Sequence, residues 1–311
     1  MGPFVKIRLY YSDHYKIPLP AGHKFPAAKY AMVRDRLAGD ARFDLQAAPL
    51  ADVAELEASH DAGYVRAILD GKVDPRIMRR IGFPWSPELV RRSLASVGGT
   101  LAAARHAIRA GMSGNLAGGT HHAFRSEGAG FCVFNDLAIA ILVLRREGLA
   151  RRAAVIDLDV HQGDGTASIF QSDQDVLTCS VHGENNFPFR KQRSAVDIAL
   201  PDGTGDAEYL DCVREVLAQV IAFRPHIVLY QSGVDALQGD RLGRLALTAA
   251  GLQMRDRLVF ETVLGRTIPV VITMGGGYGE PIERTVEAHA QCYQIAADIG
   301  TFANIPRSQD Q

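Results

Sequence analysis

An α/β fold, with a largely parallel sheet covered on both faces by helices, is what this sequence predicts, and three observations predict it. Short apolar runs suited to buried strands alternate with longer helical stretches along the whole 311-residue chain. The central run, Ala153 to Ile156, is continuously apolar, as a strand buried on both faces must be. Chemically active residues recur where runs end, at His121-His122, Asp159 and His161, Asp235 and Tyr278. In open α/β sheets, ligands bind beyond the carboxyl ends of the strands, so these four distant segments are expected to converge.

Taken in order, Val5 to Tyr11 reads as the first strand, and a Pro-rich loop then leads to helical composition from Ala27 to Leu37. Ser59-His60-Asp61 before Gly63-Tyr64-Val65 looks like a helix start, with Ser or Asp available as cap. Ser86 is placed to cap a long helix reaching about Ala110. Asn115 to Ala123 is expected to be a short strand breaking into a glycine loop, followed by a helix from Leu137 to Arg146. Further strands are expected at Val176–Val181, Ile227–Gln231 and Pro269–Met274. Helices are expected from Asp206 to Phe223, from Thr248 to Leu264 and from Pro281 to Ile299. No linker, repeat or low-complexity segment interrupts the pattern, so a single domain over residues 1–311 is the expectation.

At 47% hydrophobic residues the chain can bury a full core, and a net charge of -1 offers no global field for nucleic acid or an anionic membrane. No apolar stretch approaches the ~20 residues needed to span a bilayer. The start, MGPFVKIRLYYS, lacks a long apolar segment and a small-residue cleavage site. Cys132, Cys179, Cys212 and Cys292 form no CxxC pair and read as reduced thiols, so a cytoplasmic protein is expected.

The central strand carries the sharpest signal. Asp157, Asp159 and His161 stand at i, i+2 and i+4, so in an extended segment all three side chains leave one face. Two buried carboxylates and an imidazole repel and desolvate one another unless a cation joins them. A divalent metal is the simplest remedy, and Asp oxygen with His nitrogen suits zinc; the bland alternative is a strand end whose acids sit in solvent. Asp235, alone a turn former or helix cap, becomes the natural third ligand beside such a pair, leaving the fourth position open as in catalytic zinc sites.

His121 and His122 are either a chance pair on a surface loop or, since Gly118 and Gly119 let the backbone approach closely, two imidazoles aimed at one place, where one beside a metal-bound water can move a proton. Each such base needs an orienting carboxylate, and Asp157 and Asp164 are left over, one for each histidine. Tyr278, after three glycines, is either a turn aromatic or a donor to a developing oxyanion. Phe131 and Phe187, in Gly- and Pro-flanked loops, are core residues or the walls of a narrow apolar channel.

Together these residues resemble the zinc-dependent deacetylases of the histone deacetylase and acetylpolyamine amidohydrolase superfamily. The matching strings are Gly118 to Ala123, Gly130-Phe131-Cys132 with Asn135-Asp136, Asp157 to His161 with Gly163-Asp164-Gly165, Ser232 to Asp235, and Gly275 to Tyr278. The opening Tyr10 to Pro26 and the segment His182 to Phe189 look closest to bacterial members of the class IV branch.

The resemblance implies an arginase-like three-layer α/β/α fold with about eight strands. It implies zinc on Asp159, His161 and Asp235, and removal of an acyl group, acetyl or longer, from a lysine side chain in protein or peptide. It pairs His121 with Asp157 and His122 with Asp164, assigns the oxyanion donor to Tyr278, and lines the substrate channel with Gly130, Phe131 and Phe187. A potassium ion behind the zinc strand would fall at Asp157, Asp159, His161, Ser180 and Val181. Two departures stand out: Gln162 replaces a histidine many relatives have, and no acid around Phe83 to Ser86 matches the one some relatives use to hold the substrate backbone. Two rivals share the same residues: a deacetylase of acetylpolyamines or another small acylated amine, and a catalytically silent acyl-lysine-binding protein.

Overall fold

The computed structural model describes residues 6–302. Among them, eight strands form one sheet in which every pairing is parallel: β1 (Ile7–Tyr11), β2 (Phe43–Ala47), β3 (Met112–Asn115), β4 (Ala153–Asp157), β5 (Val176–Gly183), β6 (Val196–Leu200), β7 (Ile227–Gln231) and β8 (Val270–Thr273). The strand order is β2-β1-β3-β8-β7-β4-β5-β6. Parallel neighbours need long crossovers, and the connecting helices cover both faces.

The pleat sorts side chains into two cores. Ala154, Ile156, Val228, Tyr230, Val270 and Ile272 point to one face, where they pack with helices α1 (Ala28–Ala38), α8 (Asp206–Phe223), α9 (Ala249–Leu264) and α10 (Ile282–Phe302). Their neighbours Ala153, Val155, Ile227, Leu229 and Val271 point to the other. There they meet α2 (Val53–Leu56), α3 (Ala62–Asp70), α4 (Pro75–Ile81), α5 (Pro87–Ala110), α6 (Asp136–Arg146) and α7 (Asp164–Phe170). With both faces buried, β4, β7 and β8 read as unbroken apolar runs for the reason the sequence suggested.

Local chemistry sets the helix ends. Ser86 accepts a hydrogen bond from Leu89 N at 3.1 Å, Pro87 follows it at the first helical position, and Gly111 closes α5 at φ 84°. Asn135 caps α6 through Ala138 N, and Thr248 caps α9 through Gly251 N. Asp61, expected to cap α3, makes no side-chain capping bond.

Several expected boundaries moved. β3 runs from Met112 and stops at Asn115, so the glycine loop begins where a strand was expected. β4 stops at Asp157, two residues before Asp159, although Leu158 and Val160 still bury into the α1/α8/α9/α10 core and keep the alternation. Val5, the expected start of β1, lies outside the described residues. The edge strands β2 and β6 were not expected, although Phe43 to Ala47 and Val196 to Ile198 alternate apolar and polar residues as half-buried strands do. No helix among the described residues is long and apolar enough to cross a membrane.

Candidate active site and metal centre

The four segments do converge, at the carboxyl ends of β3, β4, β7 and β8. The β4–β7 ladder ends at Asp157 opposite Gln231, and both chains continue past it carrying Asp159, His161 and Asp235. Donor atoms of these three residues lie within 4.8 Å of one another, and all three are buried. His161 Nδ1 is 3.0 Å from both Asp159 Oδ1 and Asp235 Oδ2. Backbone N–H groups hold the carboxylates in place: Gly276 N donates to Asp159 Oδ2 at 2.7 Å, and Val160 N donates to Asp235 Oδ1 at 2.9 Å. A side chain at position 276 would collide with both carboxylates, so Gly276 is the residue that lets the third loop close over them.

The electrostatics of this trio ask for a cation. Burial first, then the charge of Asp159, pushes the Asp235 carboxyl up to about 7. Burial opposes charge on His161, yet its bonds to Asp159 and Asp235 hold it up at about 10. Two carboxylates and one imidazole nitrogen facing a single point, none of them satisfied by an arginine or lysine contact, fit zinc by donor type and number.

Two histidine–carboxylate pairs flank the trio. Gly118 and Gly119 take φ of 75° and 73°, and the N–H groups of Gly119 and Thr120 donate to the Asp136 carboxylate, which fixes the loop. His121 Nδ1 lies 2.7 Å from Asp157 Oδ2, and His122 Nδ1 lies 2.6 Å from Asp164 Oδ1. The two rings sit 4.1 Å apart, centroid to centroid. Their protonation diverges. Burial pulls His121 down, but the carboxylates of Asp157 and Asp159 outweigh it and raise the imidazole to about 9. Burial, joined by the charge of His121, drives His122 down to about 4.

A cavity of about 410 Å³ opens above, lined by His122, Gly130, Phe131, His161, Phe187 and Tyr278. The Phe131 ring packs against Phe25, Phe83 and Tyr278 at centroid distances of 5.4, 5.3 and 6.1 Å. Phe187 stands on the opposite side, 4.9 Å from the His122 ring. Gly130 separates them; a Cβ there would press on His122 Cδ2 at 2.6 Å and Phe187 at 3.2 Å. Burial, followed by the charges of Asp235 and Asp159, lifts the Tyr278 phenol well above its usual range, so it remains a neutral donor. Gln162 is buried and reaches Gln192 O and Asp197 Oδ1, both at 2.8 Å, tying the metal loop to β6 and the segment before it. Ser180, at the expected potassium position, has its Oγ 3.0 Å from His182 Nδ1, and Val181 is buried beside it.

Sequence reasoning missed the residues that hold Tyr278. Asp240 Oδ2 accepts from Tyr278 N at 2.6 Å, and Arg241 Nε donates to Tyr278 O at 2.9 Å. From below, Lys29 Nζ donates to Gly275 O at 3.0 Å and Gly277 O at 3.3 Å, and lies 5.4 Å from the Tyr278 ring centroid. Burial lowers this lysine to about 8. Lys29 shares a helical stripe with Val33 and Leu37, at i, i+4 and i+8, so periodicity alone could have flagged a buried lysine.

The fold and this constellation define an amide hydrolase of the deacetylase class. Residues 23–293 match the histone deacetylase domain, and the chain belongs to that family. It is 44% identical over 293 residues to an uncharacterised protein of Picosynechococcus, covering 93% of this chain and 98% of the relative. It is 30% identical over 300 residues to Histone deacetylase 2 of Arabidopsis thaliana, covering 91% of this chain and 78% of the relative. The solved structure of a histone deacetylase homologue from Aquifex aeolicus superposes with a TM-score of 0.78 at 24% identity, over 99% of this chain and 91% of that one. The three-layer α/β/α architecture is thus that of the family, and the chain is a deacetylase-type hydrolase.

Proposed function

We propose that this protein removes an acyl group from the side chain of lysine in a protein or peptide, with zinc held by Asp159, His161 and Asp235, in a single domain spanning 1–311. The observation that carries the chemistry is the buried Asp159, His161 and Asp235 cluster, whose His161 lines one cavity with His122, Tyr278, Phe131 and Phe187. Zinc held by these residues would supply the Lewis acidity that amide hydrolysis uses.

The chain's own residues do the rest. His122 faces the open cavity together with His161 and Tyr278, whereas His121 lines only a smaller one beside it. With Nδ1 engaged by Asp164, His122 Nε2 takes the proton of the attacking water and returns it to the departing amine. His121, charged and paired with Asp157, holds positive charge beside the reaction and restrains its neighbour. The Tyr278 hydroxyl donates to the oxyanion that develops on the amide oxygen. Phe131 and Phe187 exclude water from the aliphatic stem of the lysine.

The mouth favours a polypeptide over an acetylpolyamine. Arg80, Arg241 and Arg244 line it and no carboxylate does; their partners Glu127, Glu280 and Asp202 lie outside the lining. A polyamine bears further ammonium groups that such a rim repels. Phe189, 86% exposed beside the mouth, adds an apolar platform for chain flanking the acyl-lysine. A class IV affiliation, with room for acyl groups longer than acetyl, and potassium at Asp157, Asp159, His161, Ser180 and Val181 belong to the same proposal. A cytoplasmic location agrees with the four unpaired cysteines.

Acetyl-, octanoyl- and myristoyl-lysine peptides should be compared with acetylpolyamines, with and without a chelator. Hydrolysis of lysine peptides, abolished by the chelator, supports the reading. Hydrolysis of acetylpolyamines alone would overturn it.

A further inference from the structure

The β4–β7 ladder stops at Asp157 and Gln231, yet all three proposed zinc ligands lie beyond it, on two strands of backbone that no longer pair in register. Carbonyls in this stretch need donors from elsewhere. One fully buried side chain that the deacylase mechanism does not use supplies them. Arg255, on α9, donates from Nη1 to Gly233 O at 2.6 Å and to Leu158 O at 3.4 Å, and from Nη2 to Ser232 O at 3.4 Å. Leu158 immediately precedes Asp159; Ser232 and Gly233 precede Asp235 by three and two residues. A single guanidinium therefore spans both ligand-bearing segments from behind.

The guanidinium is itself held. Arg255 Nε donates to Asp256 Oδ1 at 2.9 Å, and the Tyr230 hydroxyl, on β7, donates to the same carboxylate oxygen. Tyr209, on α8, adds a bond from its hydroxyl to Leu158 O at 3.2 Å. Only arginine offers five donors in a planar fork able to meet carbonyls on two separate segments at once. Its charge is neutralised next door by Asp256 rather than by the zinc ligands, which leaves their carboxylates available.

We propose that Arg255, oriented by Asp256 and Tyr230, is a positioning residue that sets the spacing between the Asp159–His161 segment and the Asp235 segment, and with it the affinity for zinc. The inference rests on those three residues being the zinc ligands. Groups that orient metal ligands from outside the coordination sphere typically contribute about 10–100-fold in affinity.

The test is zinc affinity by competition with a chromophoric chelator, measured on the full chain for wild type, Arg255→Met, Arg255→Lys and Tyr230→Phe, alongside thermal unfolding of the metal-free proteins. We expect zinc binding about 10–100-fold weaker in Arg255→Met. Partial recovery is expected in Arg255→Lys, and a smaller loss in Tyr230→Phe, which keeps the guanidinium but removes one of the bonds on Asp256. A role in fold stability alone would lower the unfolding temperature and leave the zinc affinity of the folded protein unchanged; that result overturns the proposal. Should Arg255→Met fail to fold, unchanged zinc affinity in both Tyr230→Phe and Arg255→Lys overturns it equally. If wild type binds zinc and hydrolyses acyl-lysine while all variants match it, only the positioning role falls. If wild type binds no zinc, the ligand assignment falls first and the inference with it.

Discussion

The floor of the cavity and its mouth are built on opposite physics. On the floor, Asp157, Asp159, His161, Asp164 and Asp235 are each at most 8% exposed, and each carboxylate accepts hydrogen bonds in fixed geometry. At the mouth, Arg241 and Arg244 are about half exposed, at 47% and 56%, and their acidic partners also face solvent. Buried charges are expensive to leave unpaired, whereas exposed pairs contribute ~1 kcal/mol or less. The floor should therefore decide whether the reaction occurs, and the mouth only which chains are accepted.

The largest break is expected from Asp235→Ala, which removes one of three metal donors. Metal analysis of the purified variant should show zinc lost together with hydrolysis, and full occupancy would exclude Asp235 as a ligand. Next comes His122→Ala, expected to lower kcat by about 10²–10⁴. His121→Ala should cost less, because His121 does not reach the open part of the cavity; a reversed order in steady-state kinetics would exchange the two roles. Tyr278→Phe should lower kcat by about 10²–10³ with little change in KM. An unaltered kcat would leave Tyr278 as a packing residue.

A pH-dependent loss of stability should follow from a histidine buried against the start of α6. His60 is buried, Asn135 N donates to its Nε2 at 2.9 Å, and its Nδ1 lies 3.2 Å from Arg125 O. Burial lowers its folded-state value to about 4, against 6.5 as a free side chain. The unfolded chain therefore takes up the proton first. Stability should fall as pH drops from about 6.5 to about 4, by of order 3 kcal/mol, and His60 should contribute no further slope below that. Urea midpoints against pH for wild type and His60→Gln check this; parallel curves would assign the slope to other groups. The smallest effect belongs to the mouth. Arg241→Gln together with Arg244→Gln should change kcat/KM for peptides by only a few-fold and reduce discrimination against acetylpolyamines, consistent with the weak energetics of exposed charges.

How much of this was legible follows from the range of each interaction. The pairs Asp159 with His161 and His121 with His122 lie close in sequence, so local spacing displayed them. The glycines at 118, 119 and 276 were visible as residues, but what they make room for was not. Helix ends were readable at Ser86 and Thr248 because caps are local hydrogen bonds. The edge strands β2 and β6 were not picked out, since each is only five residues long and is fixed by a single neighbour, as Phe43 is by Ile7 in β1 and Val196 by Cys179 in β5.

By itself the sequence determined the class of fold, the kinds of atom able to hold a metal, and a family resemblance strong enough to order them. Only the tertiary structure decided that His121 and His122, adjacent and similarly bonded, carry different charge, because burial and neighbouring carboxylates act through space. It alone placed Lys29 beneath the Gly275–Gly277 loop, Asp240 and Arg241 around Tyr278, and Arg255 behind the ligand segments. Those contacts join residues up to 248 positions apart, and no local pattern of polarity records a partner at that distance.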